Sequence, residues 1–390
     1  MLKILFTFLL IALSFTASAQ TAEELNSKGL EHYAKGEYSM ATDFFGQAAE
    51  QNNANAQYNL GVCYSYGYGV VQNYKEATKW FRKAAKNGHA SAQFNLGMCY
   101  RNGHGVSQSY GEAAEWFKKA ANQQHIKAQF YYGQCYFHGE GVSLDYVEAV
   151  RWFRKAAERG NIEAQFSLGY CYTNGWGVTQ NFEKSAEWFS IAAENGLADA
   201  QYLLGEHYYF GTGVVQNYEE AAKWYAKAAE QNNFDAQCFL GDCYFFGEGI
   251  EQNYDKAVEW YSKAAVNNNS TAQNNLGVCY KNGFGTTQSN EKAVEWYYKA
   301  AINGQADAQF NLGESYFYGE GVEQNYEEAI KWLSLAALQD HTDALYLLGN
   351  CHYFGYGVKK SQKEAVKWYR KAANLGHPNA TNALNILGVD

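Results

Sequence analysis

The sequence predicts an all-α protein, an α/α solenoid of nine 36-residue helix-turn-helix repeats with capping helices at both ends. Three observations predict it. One glycine returns in register at Gly61, Gly97, Gly133, Gly169, Gly205, Gly241, Gly277, Gly313 and Gly349, and a tryptophan keeps step from Trp80 through Trp368. A Gly-x-Gly pair follows each first glycine, as at Gly103 and Gly105. Nine polar residues then stand ahead of the tryptophans, from Asn73 to Ser361. A fixed period of this length, sustained along a chain, marks a stack of units that each bury their apolar face only against neighbours.

The first 19 residues read as a secretory signal peptide. Lys3 supplies the positive start, residues 4–15 a short apolar run, and Ala17-Ser18-Ala19 a small-x-small cleavage site. The run is too short for a membrane span, and no cysteine follows the cleavage site to carry a lipid. The expectation is an exported protein, periplasmic or extracellular, with no membrane insertion after cleavage. Losing Lys3 takes the formal charge from −9 to −10. Without a cluster of Lys and Arg, that acidic balance offers no nucleic-acid partner and no attachment to anionic lipid.

Residues 20–53 form a shorter unit. Tyr33, Gly36, Ala41, Phe44, Phe45, Ala48 and Ala49 keep the columns of a helix pair without the Gly-x-Gly loop, as an N-terminal cap would. The nine repeats occupy 54–377. In each, a first helix (helix A) follows from positions such as Ala92, Leu96, Cys99 and Tyr100, which share one helical face. Gly103 and its equivalents sit where a left-handed residue ends a helix, and the second glycine turns the chain sharply.

The second helix (helix B) opens on Asn73, Ser109, Asp145, Asn181, Asn217, Asn253, Ser289, Asn325 or Ser361, all good N-caps. Glu three residues later in six copies predicts a capping box. Ala113, Trp116, Phe117, Ala120 and Ala121 mark its buried face, with the alanines admitting close approach and the tryptophans expected in the core. Gly, Asn or Asp restarts each next unit, Gln124 excepted. Residues 378–390 form a closing helix: Ala380 and Leu384 keep the spacing and Pro378 opens it, where proline is tolerated.

The pattern Ala-x3-Leu-Gly-x2-Tyr-x2-Gly-x-Gly-Val, polar cap, Ala-x2-Trp-Phe-x2-Ala-Ala resembles the Sel1-like repeat, a relative of the tetratricopeptide repeat, over 54–377. The 20–53 unit is similar to a tetratricopeptide unit. The resemblance implies a right-handed superhelix whose helices A line the concave side, and an adaptor that holds partner proteins. Fold is the safer of these implications.

Seven of the eight cysteines fall in one helix-A column: Cys63, Cys99, Cys135, Cys171, Cys243, Cys279 and Cys351. Equivalent residues of stacked helices stand roughly 10 Å apart, beyond the ~7 Å that a disulfide spans. A small buried side chain is the favoured reading over bridging or metal binding. This departs from cysteine-rich relatives, in which bridges pair the two helices of a unit.

No catalytic constellation and no metal site emerges, and no cofactor is expected. His-Glu-x-x-His, Gly-x-Ser-x-Gly and Cys-x-x-Cys do not occur. Ser289-Asn-Glu-Lys292 matches Ser-x-x-Lys, but Ser289 sits in the cap column. His207, in the cysteine column, reads as a satisfied semi-buried residue. The Gln column (Gln57, Gln93, Gln129 onward, with Leu345 the exception) reads as structural hydrogen bonding between units.

Partner specificity should lie in the columns that vary. The residue between the glycines gives Tyr68, Trp176, Phe284 and Tyr356, each placed either to meet a ligand or to lid the next layer. The residue before the first glycine gives Tyr66, His138, Phe210, Phe246, Tyr318 and Phe354. Exposed aromatics dominate binding hot spots. The sequence thus points to a monomeric, non-catalytic scaffold binding proteins or peptides on its concave face; a cell-envelope hydrolase or a peptidoglycan- or glycan-binding protein is the alternative.

Overall fold

The computed structural model describes residues 20–389, so the expected signal peptide at 1–19 lies outside the described residues. Among the described residues there are 21 α-helices and no strand, and the chain is an all-α solenoid of tandem helix pairs. It divides after Ile191 into two compact units. The first holds the pair Ala22–Ala34 and Tyr38–Glu50 and the repeats that follow; the second runs from the end of helix Phe182–Glu194 to the closing helix Pro378–Ile386.

Each repeat is a thirteen-residue helix A, such as Ala90–Asn102, and a helix B of equal length, such as Tyr110–Asn122; Tyr146–Ala157 is one residue shorter. Helix A ends on the first loop glycine, in the left-handed region from Gly211 (φ 69°) to Gly355 (φ 86°). The second glycine has a further role. A Cβ at Gly105 would lie 2.2 Å from the Tyr74 carbonyl oxygen, so the loop rests directly on the start of the preceding helix B. Thr78 Oγ1 donates to the His104 carbonyl (2.8 Å) and holds it there.

All nine polar caps of helices B accept from backbone amides one turn in, Ser289 from Lys292 among them (3.2 Å). The capping box expected behind them does not form in the repeats. The N-cap amide that Glu would accept from is already donated to a helix-A carbonyl, as from Asn73 to Tyr64 (2.8 Å) and from Ser361 to His352 (2.8 Å). Glu76, Glu148, Glu220, Glu328 and Glu364 pair instead with Lys or Arg one turn on. A full box appears in the N-terminal pair, between Thr21 and Glu24.

The glycine of each helix A receives the side chain that follows the tryptophan, a Phe or Tyr ring in every repeat but the one where Leu333 meets Gly313. A Cβ at Gly97 would lie 2.6 Å from Phe117 Cε1, and the same holds between Gly241 and Tyr261 (2.5 Å). The tryptophans themselves sit at the core's edge. Trp152 and Trp332 are buried, while the other repeat tryptophans are half-buried. A lysine one turn on covers the indole at Trp80, Trp116, Trp152, Trp224, Trp260 and Trp296, 3.6–4.0 Å from the ring centroid. Lysine stems thus close the apolar edge while their charges stay wet.

The Gln column links consecutive repeats as expected. Each of eight buried glutamines donates to the last-turn alanine carbonyl of the helix B before it, as Gln93 Nε2 does to Ala85 (3.1 Å). Four of them also accept from the end of their own helix B, as Gln93 does from Gln123 (2.7 Å). Leu345, buried, replaces the glutamine in the last repeat.

Candidate functional site

Helix A buries Ala, Leu and Cys on one side and turns a second face outward. The eight cysteines are free and buried. Burial pushes Cys135, Cys171, Cys243, Cys279 and Cys351 up to about 12, far from a reactive thiolate. His207 is also buried, its Nδ1 on the Thr212 carbonyl, and desolvation lowers its pKa. These columns build the core.

The outward face carries the aromatics. Tyr66 (67% exposed), Phe210 (58%), Phe246 (62%), Tyr318 (56%) and Phe354 (55%) all stand at the last residue of a helix A. His138 occupies the same place and is exposed too. Phe210, Phe246, Tyr318 and Phe354 are each supported edge-on by the preceding residue, with ring centroids 4.8–5.0 Å apart. Each thus has one ring contact on the protein side while it faces solvent.

The loop aromatics lie down. Tyr68, Trp176, Phe284 and Tyr356 stack on the residue that opens the preceding helix B: Tyr38 (4.9 Å), Tyr146 (5.9 Å), Tyr254 (4.9 Å) and Tyr326 (5.1 Å). Trp176, Phe284 and Tyr356 also meet Phe137, Phe245 and Phe317 edge-on. They are lids on the adjacent layer that keep an exposed edge.

Two apolar slots open between consecutive helices A of the first unit. One, about 160 Å³, has Phe137, Phe153, Phe166 and Tyr170 as walls, with His138 and Trp176 at its rim. The other, about 390 Å³, has Phe81, Phe94 and Met98 as walls and includes Tyr66 and His104. Ser167 and Asn95, small and polar, line them where Tyr131 or Phe239 stands elsewhere.

At other steps of the face a polar pair spans the same place. Arg101 bridges to Glu140 (3.3 Å) and Gln134 (3.3 Å), and its guanidinium lies over Tyr131. Lys281 bridges to Glu314 (2.9 Å) and Glu320 (3.4 Å). Burial works against the Lys281 charge, but the two carboxylates outweigh it and its pKa is raised. Tyr209 donates to Glu248 (2.6 Å). Sequence reading did not pair these residues. The signal was complementary charge at separations near one repeat, 33 or 39 residues.

Two carboxyls on this face are perturbed. Burial holds Asp242 up to about 6, against hydrogen bonds from Tyr261 (2.7 Å) and Asn275 (3.0 Å) that favour its charge. Burial raises Glu206 as well, partly offset by Tyr202. Among the described residues no group of three or more His, Cys, Asp or Glu is placed to hold a metal ion. No described helix is long and apolar enough to cross a membrane.

A repeat solenoid with a fixed core and a variable outward face is the class of protein these features define. The Sel1 repeat family matches nine consecutive segments, 54–89, 90–125, 126–161, 162–197, 198–233, 234–269, 270–305, 306–341 and 342–377, and the chain belongs to that family. It is similar to c5321, a protective antigen present in uropathogenic Escherichia coli strains displaying an SLR fold. The two are 35% identical over 97% of this chain and 90% of that one, with a TM-score of 0.59. It is also similar to a Sel1 repeat protein from Oxalobacter formigenes, at 32% identity over 78% of this chain and 89% of that one, TM-score 0.60. Among curated proteins, none matches.

Proposed function

We propose that this protein is an exported, non-catalytic scaffold that binds protein or peptide segments along its helix-A face. Membership of the Sel1 repeat family supports a scaffold, and the signal-peptide pattern at the start of the sequence supports export. One observation carries the choice of face. Five large aromatic side chains, more than half exposed, recur at the same helix-A position, four of them with a supporting ring from the residue before. Exposed aromatics of this kind are what binding hot spots are made of, and the core does not need them.

The test replaces Phe210, Phe246, Tyr318 and Phe354 together with Ala, and compares partner capture from the cell envelope with that of the unaltered protein. Capture should be lost while far-UV circular dichroism stays unchanged. Undiminished capture by the folded variant refutes the assignment of this face.

A further inference from the structure

Four helices B carry phenylalanine after the tryptophan: Phe81, Phe117, Phe153 and Phe189. Fourteen residues further on, in the next helix A, stand Asn95, Tyr131, Ser167 and Leu203. Tyr131 covers its phenylalanine, with ring centroids 5.5 Å from Phe117 and 5.5 Å from Phe94. Leu203, also large, is half-buried in the same place. At Asn95 and Ser167 the side chain is small, and these are the steps where the two slots open, with Phe81 and Phe153 as walls. The second unit repeats the filled arrangement at one step, where Phe239 lies on Tyr225 (5.3 Å) and Tyr202 (5.8 Å).

The slots are therefore places that the same fold fills with a ring elsewhere. Packing does not close them, because the helices on either side keep their thirteen residues and their register. Ser167 does not claim the space either: its hydroxyl donates back to the Glu163 carbonyl of its own helix (2.8 Å). Size agrees as well. An apolar cavity of ~150 Å³ holds a benzene molecule, and the slots measure about 160 and 390 Å³. Tyr66 lines the larger and His138 the smaller, so both open beside the exposed column that ends helices A.

We propose that these two slots receive aromatic side chains, tyrosine or phenylalanine, from the segment bound on the helix-A face. This rests on that face being the contact surface and adds the chemistry of what it holds. Tyr131 and Phe239 show the occupant: in their repeats the ring comes from the protein itself, and at Asn95 and Ser167 it comes from the partner. Leu203 shows that bulk alone can fill the place, but walls made of Phe and Tyr rings favour a ring through edge-on and offset contacts.

The probe is p-cresol, the tyrosine side chain cut at Cβ. Met98 lines the larger slot, whereas Met40 lies exposed in the N-terminal helix pair. Methyl NMR of the methionines in the full-length protein thus reads the slot and a reference together. p-Cresol should shift the Met98 signal saturably and leave Met40 in place. Asn95→Tyr, which copies Tyr131, should abolish the shift, and Asn95→Ala, which leaves the slot open, should keep it. Asn95→Tyr with Ser167→Tyr fills both slots and should lose partner capture while far-UV circular dichroism stays unchanged.

No saturable shift at Met98, a shift that survives Asn95→Tyr, or normal capture by the doubly filled variant would each overturn the proposal. So would a dimer of the unaltered protein that the filled variant turns into a monomer, since a second copy of this chain would then supply the rings. The two readings fail separately. If the aromatic quadruple variant loses capture while the filled variant captures normally, the face stands and the slots fall. If the quadruple variant captures normally, the face is wrong, and the slots' assignment to a partner falls with it even where p-cresol still shifts Met98.

Discussion

Replacing Gly97 with Ala tests the packing rule on which every repeat depends. The added Cβ would lie 2.6 Å from Phe117 Cε1, 2.7 Å from its Cδ1 and 3.3 Å from the Ala113 carbonyl oxygen. Ordinary carbon contacts are about 3.5–4.0 Å, so the ring must retreat by about 1 Å. Phe117 is fully buried, and Ala113 and Ala120 beside it leave no slack. Overpacking of this kind costs about 1–3 kcal/mol. Alanine also gains about 1 kcal/mol over glycine in a helix, which would blur the result if Gly97 were tested alone.

Gly111 supplies the reference. It lies in a helix B, is exposed, and a Cβ there meets nothing within 4 Å. Gly111→Ala should therefore stabilise by about 1 kcal/mol. Because the propensity gain is common to both, the gap between the two variants isolates the overpacking, about 1–3 kcal/mol. Urea unfolding followed by circular dichroism reads this directly. Midpoints that agree to within about 0.5 kcal/mol would refute the argument that helix B packs against bare backbone at this glycine.

Two further predictions concern the junctions between repeats. His89 and His125 cap helices A, their Nδ1 atoms accepting from the Ala92 (3.1 Å) and Ala128 (3.2 Å) amides, and burial lowers both pKa values. A lowered histidine favours the neutral form in the fold, so its contribution is complete above about pH 6.5 and is lost as pH falls below that. Asp242 works in the opposite sense, its raised pKa of about 6 adding stability as it protonates. His89→Asn with His125→Asn, which copies the caps at Asn53 and Asn161, should therefore remove part of the acid destabilisation in urea midpoints between about pH 7 and 5. An unchanged acid slope would refute the role of those caps. Gln124 holds φ 64° where five other junctions have glycine. Gln124→Gly should raise stability by about 1 kcal/mol by relieving left-handed strain, and a loss of stability would contradict this.

The period, the helix pairs, the caps and the buried cysteine and glutamine columns were legible because each depends on residues close in sequence or on repetition itself. What was not legible depends on which distant residues meet. Gly97 was countable from the sequence, but its purpose lies in Phe117, twenty residues on. The capping box was a sound local inference, defeated because Tyr64 and its equivalents already take the N-cap amide from another helix. The tryptophans looked like core because they are large and regular; the lysine one turn later is what lets them stay at its edge.

The binding face shows the same division. The columns holding Tyr66, Phe210 and Phe246 were identifiable as variable, and their exposure follows from standing at the end of helix A. The loop column was open between ligand contact and lid, and stacking on the preceding tyrosine gives it the lid geometry. Arg101, Lys281 and Tyr209 share one column, but their acids lie a repeat away in two others. Only the packing of successive helices A brings those columns together.

The central claim is that partners bind the helix-A face, and a photocrosslinking amino acid placed there tests it most directly. With the crosslinker at position 246, at the exposed end of a helix A, irradiation in the presence of the captured partner should give a covalent adduct. The same residue at position 187, exposed on a helix B, should give none. Adducts from position 187 and none from position 246 would contradict the account.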